Sequence, residues 1–162
     1  MDALSIVLRD FTPEDRPYLL SAIAALNDHE RTLHDTRLPG AEIAEAYFAK
    51  IHGKIATNHG CIVVAFNSDQ RVGYMACCIG RDDAPAETSD SNVYGYISDV
   101  FVAAELRGRG IAALLVAEAE RRLRPLGVTR LRLGSLANND QAIRAYRKAG
   151  FADYEVVLEK RI

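Results

Sequence analysis

Arg107-Gly108-Arg109-Gly110-Ile111-Ala112 stands between a strand-like run, Ile97-Ser98-Asp99-Val100-Phe101-Val102, and a helical one in which Ile111, Leu114, Leu115, Ala119 and Leu123 recur on one face. Glycines at such a junction let a backbone come close to a ligand. The first amides of the helix lack intrahelical partners and face outward, which suits an anion such as a pyrophosphate. Arg107 and Arg109 add charge-assisted donors. Other readings compete. A Walker loop requires Gly-Lys-Ser/Thr, which is absent. A dinucleotide fingerprint is partly matched, but Ala103 to Leu106 separate the glycines from the strand, and no acid follows at the expected distance. An RGG segment would repeat. A plain turn ahead of a helix is the simplest alternative.

Outward from this turn the pattern is regular. Ile6 to Arg9 reads as a strand, and Thr12-Pro13-Glu14-Asp15 as a helix start that runs on to about Asn27. A polar stretch, Asn27 to Gly40, leads to a second helix, Ala41 to about Ile55, with Ile43, Ala46, Tyr47 and Ile51 near one face. Gly60 to Asn67 and Val72 to Gly80 make a hairpin around Ser68-Asp69-Gln70. A polar loop, Arg81 to Asn92, precedes a long strand, Val93 to Val102. Arg130 to Leu136 reads as a strand, Gln141 to Ala149 as a helix ended by Gly150, and Tyr154 to Lys160 as a last strand. The order β-α-α-β-β-β-α-β-α-β predicts an α/β fold: one domain over residues 1–162, a mixed, mostly antiparallel sheet of about six or seven strands, and flanking helices.

Composition narrows the function. The 162 residues are 49% hydrophobic and carry a net charge of −2. That balance argues against a nucleic-acid partner, which asks for a basic surplus. The basic stretch Arg121 to Arg132 reads as a solvated face. No run is long enough to span a membrane and none resembles a leader, so a cytoplasmic protein is expected. Cys61, Cys77 and Cys78 form no C-x-x-C pair, which suggests neither a disulfide framework nor a metal site. They read as small buried hydrophobes in strands.

A second segment, Asn139-Asp140-Gln141-Ala142-Ile143-Arg144-Ala145-Tyr146-Arg147-Lys148-Ala149-Gly150-Phe151, completes a recognisable set. Arg107, Gly110 and Ala112 match the R/Q-x-x-G-x-G/A signature of the GCN5-related N-acetyltransferases, and the Asn139 to Phe151 segment resembles that family's Asn…Ala…Tyr…Gly-Phe run. The resemblance covers Tyr94 to Phe151; the first half matches only in element order. It implies acetyl-CoA as co-substrate, no metal, and direct transfer to an amine-bearing acceptor. The acidic residues of the two polar loops would suit a cationic amine, and a homodimer is compatible with it.

The resemblance also implies roles. Backbone groups of Val100, Phe101 and Val102 would pair with the pantetheine arm, and a bulge in that strand would aim an amide at the thioester carbonyl. Amides of Gly108, Arg109, Gly110, Ile111, Ala112 and Ala113, together with Arg107, would hold the pyrophosphate. Asn139 would bind pantetheine, although it also stands where a helix cap belongs. Tyr146 would act as the general acid; a core aromatic is the alternative. The family's strand-five Glu is replaced by Gly134 and its acid before the strand-four Asp by Ser98. Asp99 is then the candidate base, acting through a water, with His34 and Glu30 behind it. An enzyme of longer acyl-CoA and a silent acyl-CoA-binding regulator remain alternatives.

Overall fold

The computed structural model describes residues 5–162. In chain order these form β1 (Ile6–Asp10), a 3₁₀ turn (Pro13–Asp15), α1 (Arg16–Arg31), α2 (Gly40–Thr57), β2 (Cys61–Asn67), β3 (Gln70–Arg81), β4 (Val93–Val102), a 3₁₀ turn (Ala104–Leu106), α3 (Ile111–Leu123), a 3₁₀ turn (Arg124–Leu126), β5 (Leu131–Leu133) and α4 (Asp140–Lys148). The strands make one sheet in the order β1-β2-β3-β4-β5. All neighbours are antiparallel except β4 and β5, which run parallel. The mixed, mostly antiparallel α/β sheet is as expected.

Alternation along the strands builds two cores. Val63, Ala65, Met75, Cys77, Ile79 and Ile97 face α3 and meet Ile111, Leu115, Ala119 and Leu123. Ile62, Val64, Tyr74, Ala76 and Phe101 face the other way, onto Leu19, Ile23, Ala44 and Ile51 of α1 and α2. Gly40 lets α2 start against α1, because a Cβ there would run into the Ala24 backbone. The entry to α1 is fixed by Asp15, which is fully buried. Its carboxylate accepts from the Thr12 amide at 2.8 Å, from Arg9 at 2.8 and 2.9 Å and from Arg71 at 2.7 Å. The predicted capping is therefore present, and it doubles as an ion cluster joining β1, β3 and the first turn.

Two expectations are corrected. The sheet has five strands, not six or seven. The last strand, expected at Tyr154 to Lys160, is not formed, and the chain after Gly150 has no regular structure. Tyr154-Glu155-Val156-Val157-Leu158 lacks a strict alternation, so no single face could be buried. Val156, Val157 and Leu158 are exposed. Side chains hold this segment instead: Tyr154 stacks on Arg132 at 4.5 Å, Asp153 pairs with Arg147 at 2.7 Å, and Arg161 pairs with Asp35. The β5 strand is also shorter than expected, three residues where seven were read. The first helix is longer and reaches Arg31, so part of the stretch read as a polar loop is helical.

The arginines of the basic stretch are neutralised locally. Arg121 and Arg122 pair with Glu118, Arg124 with Glu120, Arg130 with Asp90 and Arg132 with Asp82. No helix of the described residues is long and apolar enough to cross a membrane.

Candidate active site

The site begins where β4 and β5 part. They pair only at Gly95 with Leu131, Tyr96 with Arg132 and Ile97 with Leu133. Beyond that point β5 ends and β4 runs on to Val102, which leaves the backbone edge of residues 98–102 without a strand partner on that side, with the Val102 carbonyl accepting from the Arg107 side chain. Val100, Phe101 and Val102 lie on this edge, as the sequence predicted. A free strand edge offers alternating donors and acceptors to an extended ligand.

The predicted bulge is present, and its position explains much of the site. Ala76 faces Asp99 while the next residue, Cys77, faces Ile97, so Ser98 is the extra residue on β4. One extra residue reverses the alternation. Before it, Ile97 packs toward α3. After it, Val100 and Val102 do so, and Phe101 faces α1 and α2. Asp99 is thereby turned to the α1 and α2 side, where a regular strand would have pointed it at α3.

There Asp99 is 4% exposed. Its Oδ1 accepts from the Tyr47 hydroxyl at 3.1 Å and, at the 3.5 Å limit, from that of Tyr74. Its Oδ2 is buried with no partner among the described residues. Burial raises the Asp99 carboxyl above the usual carboxylate range; the hydroxyls of Tyr47 and Tyr74 pull the other way, and Glu30 adds to the rise. An ionisable oxygen that is enclosed yet unpaired is costly for folding alone.

The turn after β4 is the one that the sequence reading assigned to an anion. Gly108 and Gly110 have φ of 76° and 85°, the left-handed region that favours glycine. A Cβ built on either would meet nothing within 4 Å, so both line open space. The first intrahelical bond of α3 runs from the Leu114 amide to the Gly110 carbonyl at 3.1 Å, which leaves the amides of Ile111, Ala112 and Ala113 without helical acceptors. The Ile111 side chain is 1% exposed and anchors this end of the helix in the core, so only its backbone could meet a ligand. Arg107 folds back and donates from Nε to the Val102 carbonyl at 3.1 Å, bracing the turn against β4. Arg109 is exposed. The free strand edge and the amide cluster are thus consecutive, and they fit a long ligand with an extended arm and a phosphate end.

Two predicted residues stand on α4. Asn139 is its cap, with Oδ1 accepting from the Ala142 amide at 3.3 Å. The capping alternative is what the geometry displays; its amide nitrogen is not used by that bond. Tyr146 packs partly against the α3-side core, with its ring edge-on to Phe151 at 6.2 Å. Burial raises its phenol to about 12, and the Asp99 and Glu30 carboxylates push in the same direction.

The remaining acids and His34 are placed less centrally. Glu30 pairs with Arg37 at 2.7 Å. His34 is bound to Thr36 at 3.0 Å at the end of α1. Gly134, where a family Glu would stand, is exposed just past β5. Tyr47 is the residue that sequence reasoning missed, since it was read only as part of a helix face. The signal was available: a tyrosine hydroxyl on a buried face needs an acceptor.

Comparison with known proteins agrees with this geometry. Residues 23–151 match the family described as Acetyltransferase (GNAT). No curated protein sequence matches the chain. Among solved structures, a transcriptional regulator of Bacillus halodurans superposes with a TM-score of 0.73 at 18% identity, over 98% of this chain and all of that one. The aminoglycoside 6′-N-acetyltransferase AAC(6′)-IG of Acinetobacter haemolyticus gives 0.69 at 17% identity, over 96% and 99%. AAC(6′)-Iy, solved with a bisubstrate analogue of CoA and acetylneamine, gives 0.71 at 16% identity, over 98% of each chain. At these identities the likeness is one of fold.

Proposed function

Because the chain belongs to the acetyltransferase (GNAT) family, we propose that it is an acetyl-CoA-dependent N-acetyltransferase that hands the acetyl group directly to a primary amine. The observation that carries this reading is the continuity of the free β4 edge, residues 98–102, with the amide cluster at the start of α3. Acetyl-CoA has the two parts this asks for, a pantetheine amide chain and a pyrophosphate. Val100 to Val102 pair with the first, and the amides of Gly108 to Ala113 hold the second. The strand that bulges at Ser98 provides the amide that faces the thioester carbonyl and steadies negative charge on its oxygen.

The acceptor arrives as an ammonium ion and must lose a proton before it can attack. Asp99 takes that proton through one water, with its carboxylate held by Tyr47. A raised carboxyl is the better base for this task, because proton transfer works best when the two partners' pKa values approach each other. Tyr146 delivers a proton to the departing thiolate. With its phenol at about 12 it stays protonated at neutral pH, as a donor must. A cationic acceptor fits the acids around the site, Glu30 and Asp99. The aminoglycoside acetyltransferases of like fold act on amines of that class, which makes aminoglycosides the first acceptors to try.

The test is a screen of primary amines, aminoglycosides and peptides, with acetyl-CoA as donor and detection of the thiol released. At least one amine should turn over and appear acetylated by mass spectrometry. Tight acetyl-CoA binding with no turnover across the panel would favour the silent regulator. Faster turnover with a longer acyl-CoA would move the donor assignment.

A further inference from the structure

The sequence read all three cysteines as inert packing residues. Two of them are placed for chemistry. Cys61 on β2 and Cys77 on β3 are directly opposed in the antiparallel pair. Their sulfurs are 3.6 Å apart. Opposed residues of such a pair have Cα atoms about 4.5–5.5 Å apart, inside the window of roughly 4.4–6.8 Å that a disulfide spans. The sulfurs need to approach by about 1.5 Å to reach bonding distance, a change that side-chain rotation can supply. Cys78 is excluded from this pairing, because the residue after Cys77 points to the opposite face of the sheet.

The two thiols differ in access. Cys77 is fully buried in the α3-side core, whereas Cys61 is part-exposed at the margin of that core. The charged groups facing Cys61 are Arg122 and Glu118 of α3 and Asp10 of β1. Arg122 pairs with Asp10 at 2.5 Å and with Glu118 at 2.8 Å. The Cys77 hydrogen bond lowers the Cys61 thiol below its ordinary value; partial burial opposes this and Arg122 assists it. The same contact and burial raise the thiol of Cys77. One sulfur is thus reachable and more readily ionised, and its neighbour is sealed and protonated. That is the arrangement of an attacking and a resolving thiol.

We infer that Cys61 and Cys77 are a peroxide-responsive thiol pair that closes into a cross-strand disulfide between β2 and β3. The thiolate of Cys61 attacks one oxygen of hydrogen peroxide. The O–O bond breaks, hydroxide leaves and takes a proton to become water, and Cys61 is left as a sulfenic acid. The Cys77 sulfur then attacks the Cys61 sulfur. The S–S bond forms, the S–O bond breaks, and the second oxygen departs as water with the Cys77 proton. Two thiols are oxidised by two electrons and one peroxide is reduced to two waters. The second step needs no solvent access to Cys77, which is why a sealed residue can take part. The new bond lies at the point where the β3–β4 register shifts, next to Ala76, the residue opposite Asp99.

The unmodified protein is the test object. It is treated with hydrogen peroxide, alkylated under denaturing conditions and digested with trypsin. The free thiols should fall from three to one. The peptide of residues 55–71 should be recovered joined to that of residues 72–81, with Cys77 as the linked residue on fragmentation. Dithiothreitol should restore three thiols. In Cys77→Ala, Cys61 should stop at the sulfenic acid and be labelled by dimedone, while in Cys61→Ser neither remaining cysteine should be labelled. Three free thiols after peroxide treatment, a bond through Cys78, or a bond joining two chains would each overturn the inference.

Discussion

Replacing Tyr146 by Phe removes one oxygen and keeps the ring, so the outcome separates chemistry from packing. The ring contacts Phe151 and the α3-side core, and those contacts persist. The hydroxyl makes no hydrogen bond to a described residue, so its loss strands no partner, and Tm should move by no more than about 2 °C. If the hydroxyl protonates the leaving thiolate, kcat should fall by about 10²–10⁴-fold, which corresponds to about 3–5 kcal/mol of barrier. Acetyl-CoA affinity should stay within about threefold, because the lost interaction forms mainly in the transition state. The alkaline side gives a further check. Burial sets the phenol at about 12, against about 10 in the unfolded chain. The folded form therefore holds this proton more tightly, and the wild type loses stability as pH rises between those values. The Phe variant should be spared that share of the loss. The measurements are steady-state turnover by thiol release, calorimetric binding of acetyl-CoA, and melting curves from pH 7 to 11. Normal turnover in a folded Phe variant would remove Tyr146 from the mechanism.

Asp99→Asn should lower kcat/KM at neutral pH by about 10²–10⁴-fold, while Tm at pH 7 stays level or rises. The sign follows from the raised carboxyl: the folded state binds that proton more tightly than the unfolded chain, so the ionised group costs stability above its folded pKa. A large drop in Tm with retained activity would mark Asp99 as structural. Gly110→Val places a branched side chain at a φ of 85° against open space, so it should weaken acetyl-CoA binding by about tenfold or more while the core persists. Gly127→Val is the matched control, since Gly127 also has a φ of 85° and open surroundings but lies at the far end of α3; equal loss of affinity in both variants would refute the phosphate assignment. Asp15→Asn should lower Tm by several degrees and flatten its fall in acid. Burial alone would raise that carboxyl, but Arg9, the Thr12 amide and Arg71 together hold it well below the usual range, so its stabilisation is present at neutral pH and lost as pH falls through the ordinary carboxylate range and below. An unchanged acid profile would sink this argument.

The parts of this protein that were legible in its sequence are those that local rules decide. Val93 to Val102 has the bounds read for it, and α3 and α4 follow from apolar spacing and a terminal glycine. The turn from Arg107 to Ala112 could be read because its glycines have few other uses. The last strand could not, because a strand needs an edge to join, and β5 is too short to extend one far. Register was the other blind spot. Asp99 was singled out as a candidate base, but strict alternation from Ile97 would have sent its carboxylate into the α3-side core, among Leu115, Ala119 and Leu123. The single extra residue, Ser98, turns it to the opposite face. Only there can it meet Tyr47, which comes from α2 in the half of the chain where no motif was visible. The strand edge on which the pantetheine assignment rests also begins at Ser98, because β5 ends opposite Ile97. Deleting Ser98 would make Ile97 and Asp99 consecutive against Cys77 and Ala76. Asp99, Val100, Phe101 and Val102 should then keep their present faces, and only the bulged amide be lost. The kcat should fall while the fold persists, and normal turnover in the folded deletion variant would refute the role given to the bulge.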